Sequence, residues 1–433
     1  MFVFLGVLCV FVVDLEMPDF LYRRGRLYCE GVAVEQIAAS AGTPVYIYSR
    51  AVMERNFRRY DRAFRGRPHT ICYSVKANSN LALLKLLAGL GGGFDIVSGG
   101  ELHRVLAAGG DPGRVVFSGV GKTAAEIEAA LRAGILLFNA ESAGELSLLA
   151  RLARKTGRKA PAALRVNPDV GAGAHPYIST GLRRHKFGVD VNHAEALYLK
   201  AARARWLQIA GVSCHIGSQI LALEPFLEAL EKLLDLAERL RRHGLAIRYL
   251  DVGGGLGVSY HSGEAGPDIA EYGRRIRRIL DSAGGERYHL LLEPGRSIVA
   301  EAGILLARVL YIKRGAAKRF IVVDAAMNDL LRPALYGSYH EVRPAANHRR
   351  RQIEADVVGP ICESGDFLAR DRRLPEVRPG ELLAVFTTGA YGAALGSNYN
   401  SRLRAPEVLV EGDKFRIIRE RESYEDLVRL ERP

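Results

Sequence analysis

Cysteine is scarce in this chain and badly spaced for cross-linking. Cys9, Cys29, Cys72, Cys214 and Cys362 are scattered over 433 residues, with no C-x-x-C pair and no histidine at zinc-ligand spacing. A disulfide framework and a zinc module are thereby excluded as organising devices, and a reducing cytoplasm suits that usage. No segment is apolar for long enough to span a membrane. Residues 1–13 come nearest, but the stretch is too short, lacks a basic n-region and runs into Asp14-Leu15-Glu16 instead of a small-residue cleavage site. Residues 1–16 are therefore read as an upstream extension, with Met17 as the functional start, or else as a poorly ordered tail. Acidic residues fall short of basic ones, leaving a net charge of +13. The arginines are nevertheless spread over helical faces and interleaved with glutamates, which is the pattern of solvated surfaces and not of a nucleic-acid groove. The surplus helps to attract an anionic substrate.

What is present is an ordinary globular composition, 48% hydrophobic and 25% charged, on a chain long enough for one large domain and a smaller one. Alternation over 20–30 predicts a strand or hairpin edge, 34–41 a short helix closed by Gly42, and 45–48 a strand introduced by Pro44. The chain then becomes regular. Eight short apolar or β-branched runs, at 70–75, 94–97, 115–118, 135–139, 163–167, 208–214, 247–252 and 289–293, are each followed by a helical pattern. That repetition predicts an α/β fold, a closed (β/α)8 barrel over 45–303. From Leu305 the runs are short strands separated by Gly, Pro and basic turns, so 304–433 is expected to form a C-terminal all-β domain, to which 17–44 contributes. An amphipathic helix over 422–430 is expected to pack against it.

In a barrel of this kind the working face is the carboxyl end of the strands. The runs lead to Lys76, to Asp95 and Glu101, to Ser118-Gly119, to Asn139 and Glu141, to Arg165, to His215 and Ser218, to Gly253-Gly254-Gly255-Leu256-Gly257, and to Glu293-Pro294-Gly295-Arg296. Packing alone would not put a polar group at nearly every strand tip. Lys76 is a candidate Schiff-base nucleophile, a chemistry that needs some neutral amine, which desolvation at a strand end is expected to favour. The glycine run suits a phosphate, because backbone N–H groups without β-carbons can approach its oxygens. It is not a dinucleotide fingerprint, its spacing being G-x-G-x-G. Gly121-Lys122-Thr123 looks like the end of a P-loop, but the first glycine of that motif would fall at Val116, and the motif is discarded.

A lysine, a phosphate cradle and a buried carboxylate on one barrel mouth suggest pyridoxal phosphate. Six stretches in order, Tyr73 through Asn78, His215-Ile216-Gly217-Ser218-Gln219, Gly253 through Gly257, Glu293-Pro294-Gly295-Arg296-Ser297, Asn328-Asp329-Leu330-Leu331-Arg332-Pro333 and Cys362-Glu363-Ser364-Gly365-Asp366, resemble the diaminopimelate decarboxylase family. That family belongs to the alanine-racemase-like, fold type III pyridoxal-phosphate enzymes, and the resemblance runs from about Met17 to Leu409.

The resemblance implies that Lys76 carries the cofactor, that Glu293 faces the pyridine nitrogen and that His215 lies against the ring. It implies that Ser218, Gly253, Gly254, Gly255, Gly295, Arg296 and Tyr391 take part in binding the cofactor, with Asp95, Glu101 and Arg165 as the polar network around Lys76. Arg296, Arg332, Tyr336 and Tyr391 would contact substrate, the arginines clamping the distal carboxylate of meso-diaminopimelate. Cys362 would protonate the α-carbon and Glu363 would bind the distal ammonium, both reaching the site of a partner subunit in a homodimer. The expected reaction is decarboxylation to L-lysine. Ornithine, arginine or carboxynorspermidine-type decarboxylation, or a non-catalytic cofactor-binding relative, are the alternatives, and Glu363 with Arg332 and Tyr336 favours diaminopimelate. One departure is His185 before Lys186-Phe187-Gly188, where the family usually has a small serine, with Arg183 and Arg184 alongside. No metal is implied.

Overall fold

The computed structural model describes residues 20–171, 186–261, 264–347 and 350–432. The expected extension, with Met17, and the departure at His185 with Arg183 and Arg184 lie outside these residues. The strands His69–Ser74, Gly93–Ile96, Val115–Phe117, Leu137–Ala140, Ala160–Asn167, Leu207–Cys214, Tyr249–Asp251 and His289–Leu292 pair in parallel in that order, and His289–Leu292 pairs back onto His69–Ser74 to close the barrel. Each predicted run is one of these strands.

Local chemistry explains the regularity. The helices Leu81–Gly89, Gly99–Ala107, Ala124–Ala133 and Ala143–Thr156 are capped by Asn80, Ser98, Thr123 and Ser142, whose side chains accept from the first-turn N–H groups. Thr123 and Glu126 complete a capping box. Gly134 and Gly157 end two of these helices in the left-handed conformation.

Strand periodicity then sorts the barrel interior into layers, since residues two apart share a face. Cys72, Val116, Leu137, Ala163, Tyr249 and Leu291 pack together as an apolar layer. Two residues further along the same strands stand Ser74, Ser118, Asn139, Arg165, Asp251 and Glu293. Hydrogen bonds across the barrel join several of these: Asn139 donates to Asp251 at 2.6 Å and Ser118 to Glu293 at 3.3 Å. The interior is thus apolar at its base and polar at its mouth.

The second domain is a nine-stranded sheet opened by the long strand Gly303–Arg314. Val45–Ser49, which the sequence reading assigns to the barrel, belongs to this sheet instead, antiparallel to Gly303–Arg314 and parallel to Glu407–Glu411. The apolar run is fully buried and fits either sheet, and its partners are distant in sequence. The hairpin Phe20–Arg23 and Arg26–Cys29 forms, with Val32–Ala33, a separate three-stranded sheet joined to the domain through a bridge from Arg26 to Ala346. The predicted short helix is Val34–Ala41, closed by Gly42. The carboxyl-terminal helix, Tyr424–Val428, is shorter than expected and buries no residue, with Tyr424 73% and Leu430 83% exposed. The packing expectation is met only by Leu427, which is partly buried.

Among the described residues, no helix is long and apolar enough to cross a membrane.

Candidate active site

The two domains meet at the barrel mouth. Tyr391 donates its N–H to the Ala77 carbonyl at 2.8 Å, and Asn78 Nδ2 donates to Gly389 O at 3.1 Å. Tyr391 is held at φ 56°, a conformation that a non-glycine residue keeps only where its surroundings fix it. Between the domains lies a cavity of about 820 Å³, within the size of small-molecule sites. It is lined by Lys76, Arg165, His215, Ser218, Glu293, Arg296, Arg332, Tyr336 and Tyr391. Nine of the expected residues therefore converge on one space.

Lys76 sits in the single 3-10 turn Val75–Ala77 after the first barrel strand, with Nζ 2.9 Å from Asp95 Oδ2. Ser74 donates to the same oxygen at 2.7 Å. Burial disfavours the charged amine, but attraction from Asp95, Tyr391 and Glu293 outweighs it, and the pKa of Lys76 is raised. The expectation that desolvation would favour a neutral amine is corrected: the partner carboxylate wins, and the cofactor-free chain holds an ammonium.

Glu293 moves the other way. Burial first, and then the neighbouring Asp251 and Asp95, push its carboxyl well above the ordinary range. Asp251 is raised too, chiefly by burial, although Asn139 and the Gly253 N–H donate to it. Two carboxyls buried together hold a proton at neutral pH. Asp251 did not stand out in the sequence, although an acid as the last residue of a strand before the glycine run was a usable signal.

His215 accepts from the Gly254 N–H through Nδ1 at 3.2 Å, so its proton is on Nε2. Burial, and then Arg165 and Lys76, keep the ring neutral by lowering its pKa well below the usual value. Arg165 is fixed by Glu141 at 3.0 Å and by the His215 carbonyl at 3.2 Å. Glu101 feels the charge of Lys76 but is held elsewhere. Its carboxylate accepts the Val97 N–H at 2.7 Å, in the loop leading to its own helix, and burial raises its pKa to about 7. Lys122 is buried in a bond to Glu145 at 2.6 Å and to the carbonyls of Gly119 and Asn139, which accounts for that lysine as a structural tie.

The glycine run fits between its neighbours with no room to spare. A β-carbon on Gly254 would overlap Glu293 O, and one on Gly255 would overlap Gly217 O. Gly253 and Gly255 also adopt φ of 66° and 106°. A β-carbon on Gly295 would press on Ser74 and Ala77 at 2.9 and 3.0 Å. Arg296 donates to Ser218 Oγ at 3.1 Å and to Tyr260 at 2.5 Å, while its buried Nε has no partner among the described residues. Arg332 donates to the same Tyr260 oxygen at 2.8 Å and to His340 Nε2 at 3.0 Å. Tyr260 and His340 were not singled out in the sequence. Tyr260 carries a weak signal as a phenol three residues beyond Gly257, and His340 carries none.

Cys362 and Glu363 stand elsewhere. Both are exposed and neither lines the cavity. The Cys362 N–H is held by Asn400 Oδ1 at 3.3 Å and the Glu363 carboxylate by the Tyr399 hydroxyl at 2.7 Å.

Residues 50–300 match the family described as pyridoxal-dependent decarboxylase, pyridoxal binding domain. A curated diaminopimelate decarboxylase of Pseudomonas aeruginosa is 54% identical over 411 residues, spanning 95% of this chain and 98% of the relative. The chain belongs to the diaminopimelate decarboxylase family. Among solved structures, the diaminopimelate decarboxylase of Helicobacter pylori complexed with L-lysine is similar with TM-score 0.88 and 46% identity, over 92% of this chain and 99% of that one. The M. jannaschii diaminopimelate decarboxylase superposes with TM-score 0.92 at 37% identity, over 96% and 98%. Membership makes this chain a pyridoxal-phosphate-dependent carboxy-lyase, and the site suits that cofactor. The unpartnered Arg296 Nε and the Ser218 hydroxyl, which accepts from Arg296 and keeps its own proton to donate, supply donors for phosphate oxygens, beside a glycine run whose Gly253 and Gly254 N–H groups are engaged by Asp251 and His215 in the cofactor-free chain. In this decarboxylase, Gly254→Ala is expected to weaken pyridoxal phosphate binding about 10- to 100-fold, because the loop must shift to clear Glu293 O. Absorbance titration of the cofactor measures this, and an unchanged affinity would show that the loop does not hold the phosphate.

Proposed function

We propose that this chain decarboxylates meso-diaminopimelate to L-lysine and carbon dioxide. The observation that carries the reading is the convergence of Arg296 and Arg332 on one tyrosine oxygen within the cavity that contains Lys76. Paired guanidiniums suit a carboxylate, and diaminopimelate keeps one after the other has left. Ornithine and arginine have none to spare.

Bound pyridoxal phosphate supplies the electron sink that takes up the pair left when carbon dioxide departs. The chain supplies the rest. Lys76 would hold the cofactor, with Asp95, 2.9 Å from its amine, positioning it and taking part in its proton balance. Glu293, backed by Asp251, would face the pyridine nitrogen, and the proton that this buried pair holds in the cofactor-free chain could pass to that nitrogen and leave a carboxylate to keep it there, which would make the ring a better acceptor. His215, being neutral, would lie against the ring without adding charge. Ser218, Gly253, Gly254, Gly255, Gly295 and Tyr391 would hold the phosphate. Arg165 with Glu141 keeps the mouth polar, and Glu101 supports it from the loop at Val97. Tyr336 joins Arg296 and Arg332 around the distal end of the substrate.

In this reading the enzyme is a homodimer with shared sites. Cys362 of each chain delivers the proton to the α-carbon in the other, and Glu363 binds the distal ammonium there. The exposed, unpaired Cys362 suits a reducing cytoplasm.

The test is to supply the purified protein with pyridoxal phosphate and to assay carbon dioxide and amine products from meso-diaminopimelate, L-ornithine and L-arginine side by side. Lysine from diaminopimelate alone is expected. Release from ornithine or arginine would overturn the substrate assignment, and cofactor binding without any turnover would leave a non-catalytic relative.

A further inference from the structure

Tyr260 occupies an unusual electrostatic position. Its hydroxyl oxygen is 2.5 Å from Arg296 Nη1 and 2.8 Å from Arg332 Nη1. Guanidinium groups only donate, so the phenol accepts both bonds, one on each lone pair. Its own proton must then point elsewhere. Among the described residues no acceptor meets it, and Tyr260 lines the cavity.

His340 fixes the other side. Its Nδ1 is 2.8 Å from the Phe386 carbonyl oxygen, which can only accept, so Nδ1 carries the hydrogen. Nε2 is left as an acceptor, and Arg332 Nη1 donates to it at 3.0 Å. That arrangement exists only for a neutral ring. His340 is fully buried, and burial, followed by the charge of Arg332, pushes its pKa down to about 3. The tyrosine ring completes the packing, edge-on to His340 at 5.1 Å and under the Arg332 guanidinium at 4.8 Å. The two hydrogens of Arg332 Nη1 are thus spent on Tyr260 and His340, and Nη2 reaches Ser338 at 3.3 Å.

We propose that Tyr260 is a specificity-determining residue: locked as acceptor between Arg296 and Arg332, it turns its hydroxyl proton into the cavity as a further donor for the carboxylate retained in the product, while His340 holds Arg332 in register. The inference rests on the reading that the arginine pair takes the distal carboxylate.

The experiment compares the holoenzyme with Y260F and R332M. Calorimetric titration measures affinity for L-lysine, which carries that carboxylate, and for 1,5-diaminopentane, which does not. Steady-state assays give kcat and KM for meso-diaminopimelate. For Y260F, lysine affinity is expected to fall about 10- to 100-fold, as for loss of a hydrogen bond to a charged group. Affinity for 1,5-diaminopentane should hold, and KM should rise with kcat within about threefold. Weakening of lysine in R332M but not in Y260F would overturn the role of Tyr260 and leave the clamp standing. Equal weakening of both ligands in Y260F would reduce Tyr260 to a packing residue and overturn the proposal as well. Lysine affinity unchanged in both variants would remove the clamp itself. Cofactor affinity and thermal unfolding of Y260F, expected to match the parent, separate these outcomes from misfolding.

Discussion

Lys76→Ala is expected to lower decarboxylation by about four orders of magnitude or more, the scale for removing a covalent catalytic group, while the protein stays folded. The side chain is placed by local geometry that the substitution leaves intact. The strand His69–Ser74 ends in a 3-10 turn whose Ala77 carbonyl is held by Tyr391, and Ser74 continues to donate to Asp95. What disappears is the cation between Asp95 and Glu293, whose attraction keeps the amine charged until its proton is taken up. Lys76→Arg should be equally inactive, because a guanidinium keeps its charge but cannot lose a proton to become a nucleophile. Product formation over long incubation measures the residual rate, and the cofactor spectrum gives a second readout. The variant should still bind pyridoxal phosphate through the glycine run and Ser218, without the visible band of a lysine-bound cofactor. Turnover above about one hundredth of the parent would show that another group carries the chemistry.

The barrel was legible because each of its units carries its own signals. A buried run and a polar tip recur unit by unit, a capping Asn, Ser or Thr opens each of the first four barrel helices, and none of these depends on a distant partner. Lys76, Asp95, Arg165, His215 and Glu293 could be named for the same reason, since a strand tip has a defined place in a barrel. Val45–Ser49 could not be assigned, because its sheet is decided by strands near Gly303 and Glu407 and a fully buried run has no alternation to show which face it needs. Tyr260 and His340 were missed on the same ground. Their roles exist only once Arg332, 72 residues from Tyr260, is brought against them. Glu101 is legible as an acid near the second barrel strand's tip, and it stands in the first turn of the helix Gly99–Ala107, but whether its carboxylate turns to Lys76 or to the Val97 N–H is a matter of local geometry. The sign of the Lys76 shift was misjudged because desolvation can be inferred from a buried strand, whereas the distance to Asp95 cannot.

Two inactive chains should restore each other. In the dimer we propose, a working site needs Lys76 from one chain and Cys362 from the other, so Lys76→Ala and Cys362→Ala subunits are each expected to be nearly inactive alone. Co-expressed in equal amounts with random pairing, half the dimers are mixed, and each of those has one intact site and one doubly damaged. About a quarter of the parent activity per site should return. The surface around the thiol suits such an arrangement. The loop is ordered by bonds from Asn400 and Tyr399, it carries its cysteine and glutamate outward, and its neighbour Tyr399 is 47% exposed. An exposed thiol cannot act on a cavity it does not line, so within one chain Cys362 has no route to the α-carbon. The cofactor colour of Cys362→Ala should be unchanged, since no cofactor-binding residue is touched. If the co-expressed pair stays inactive although mixed dimers are recovered by differential tagging, the sites are not shared. The proton would then have to come from a group that lines the cavity, and His215 or Tyr391 would be the first to test.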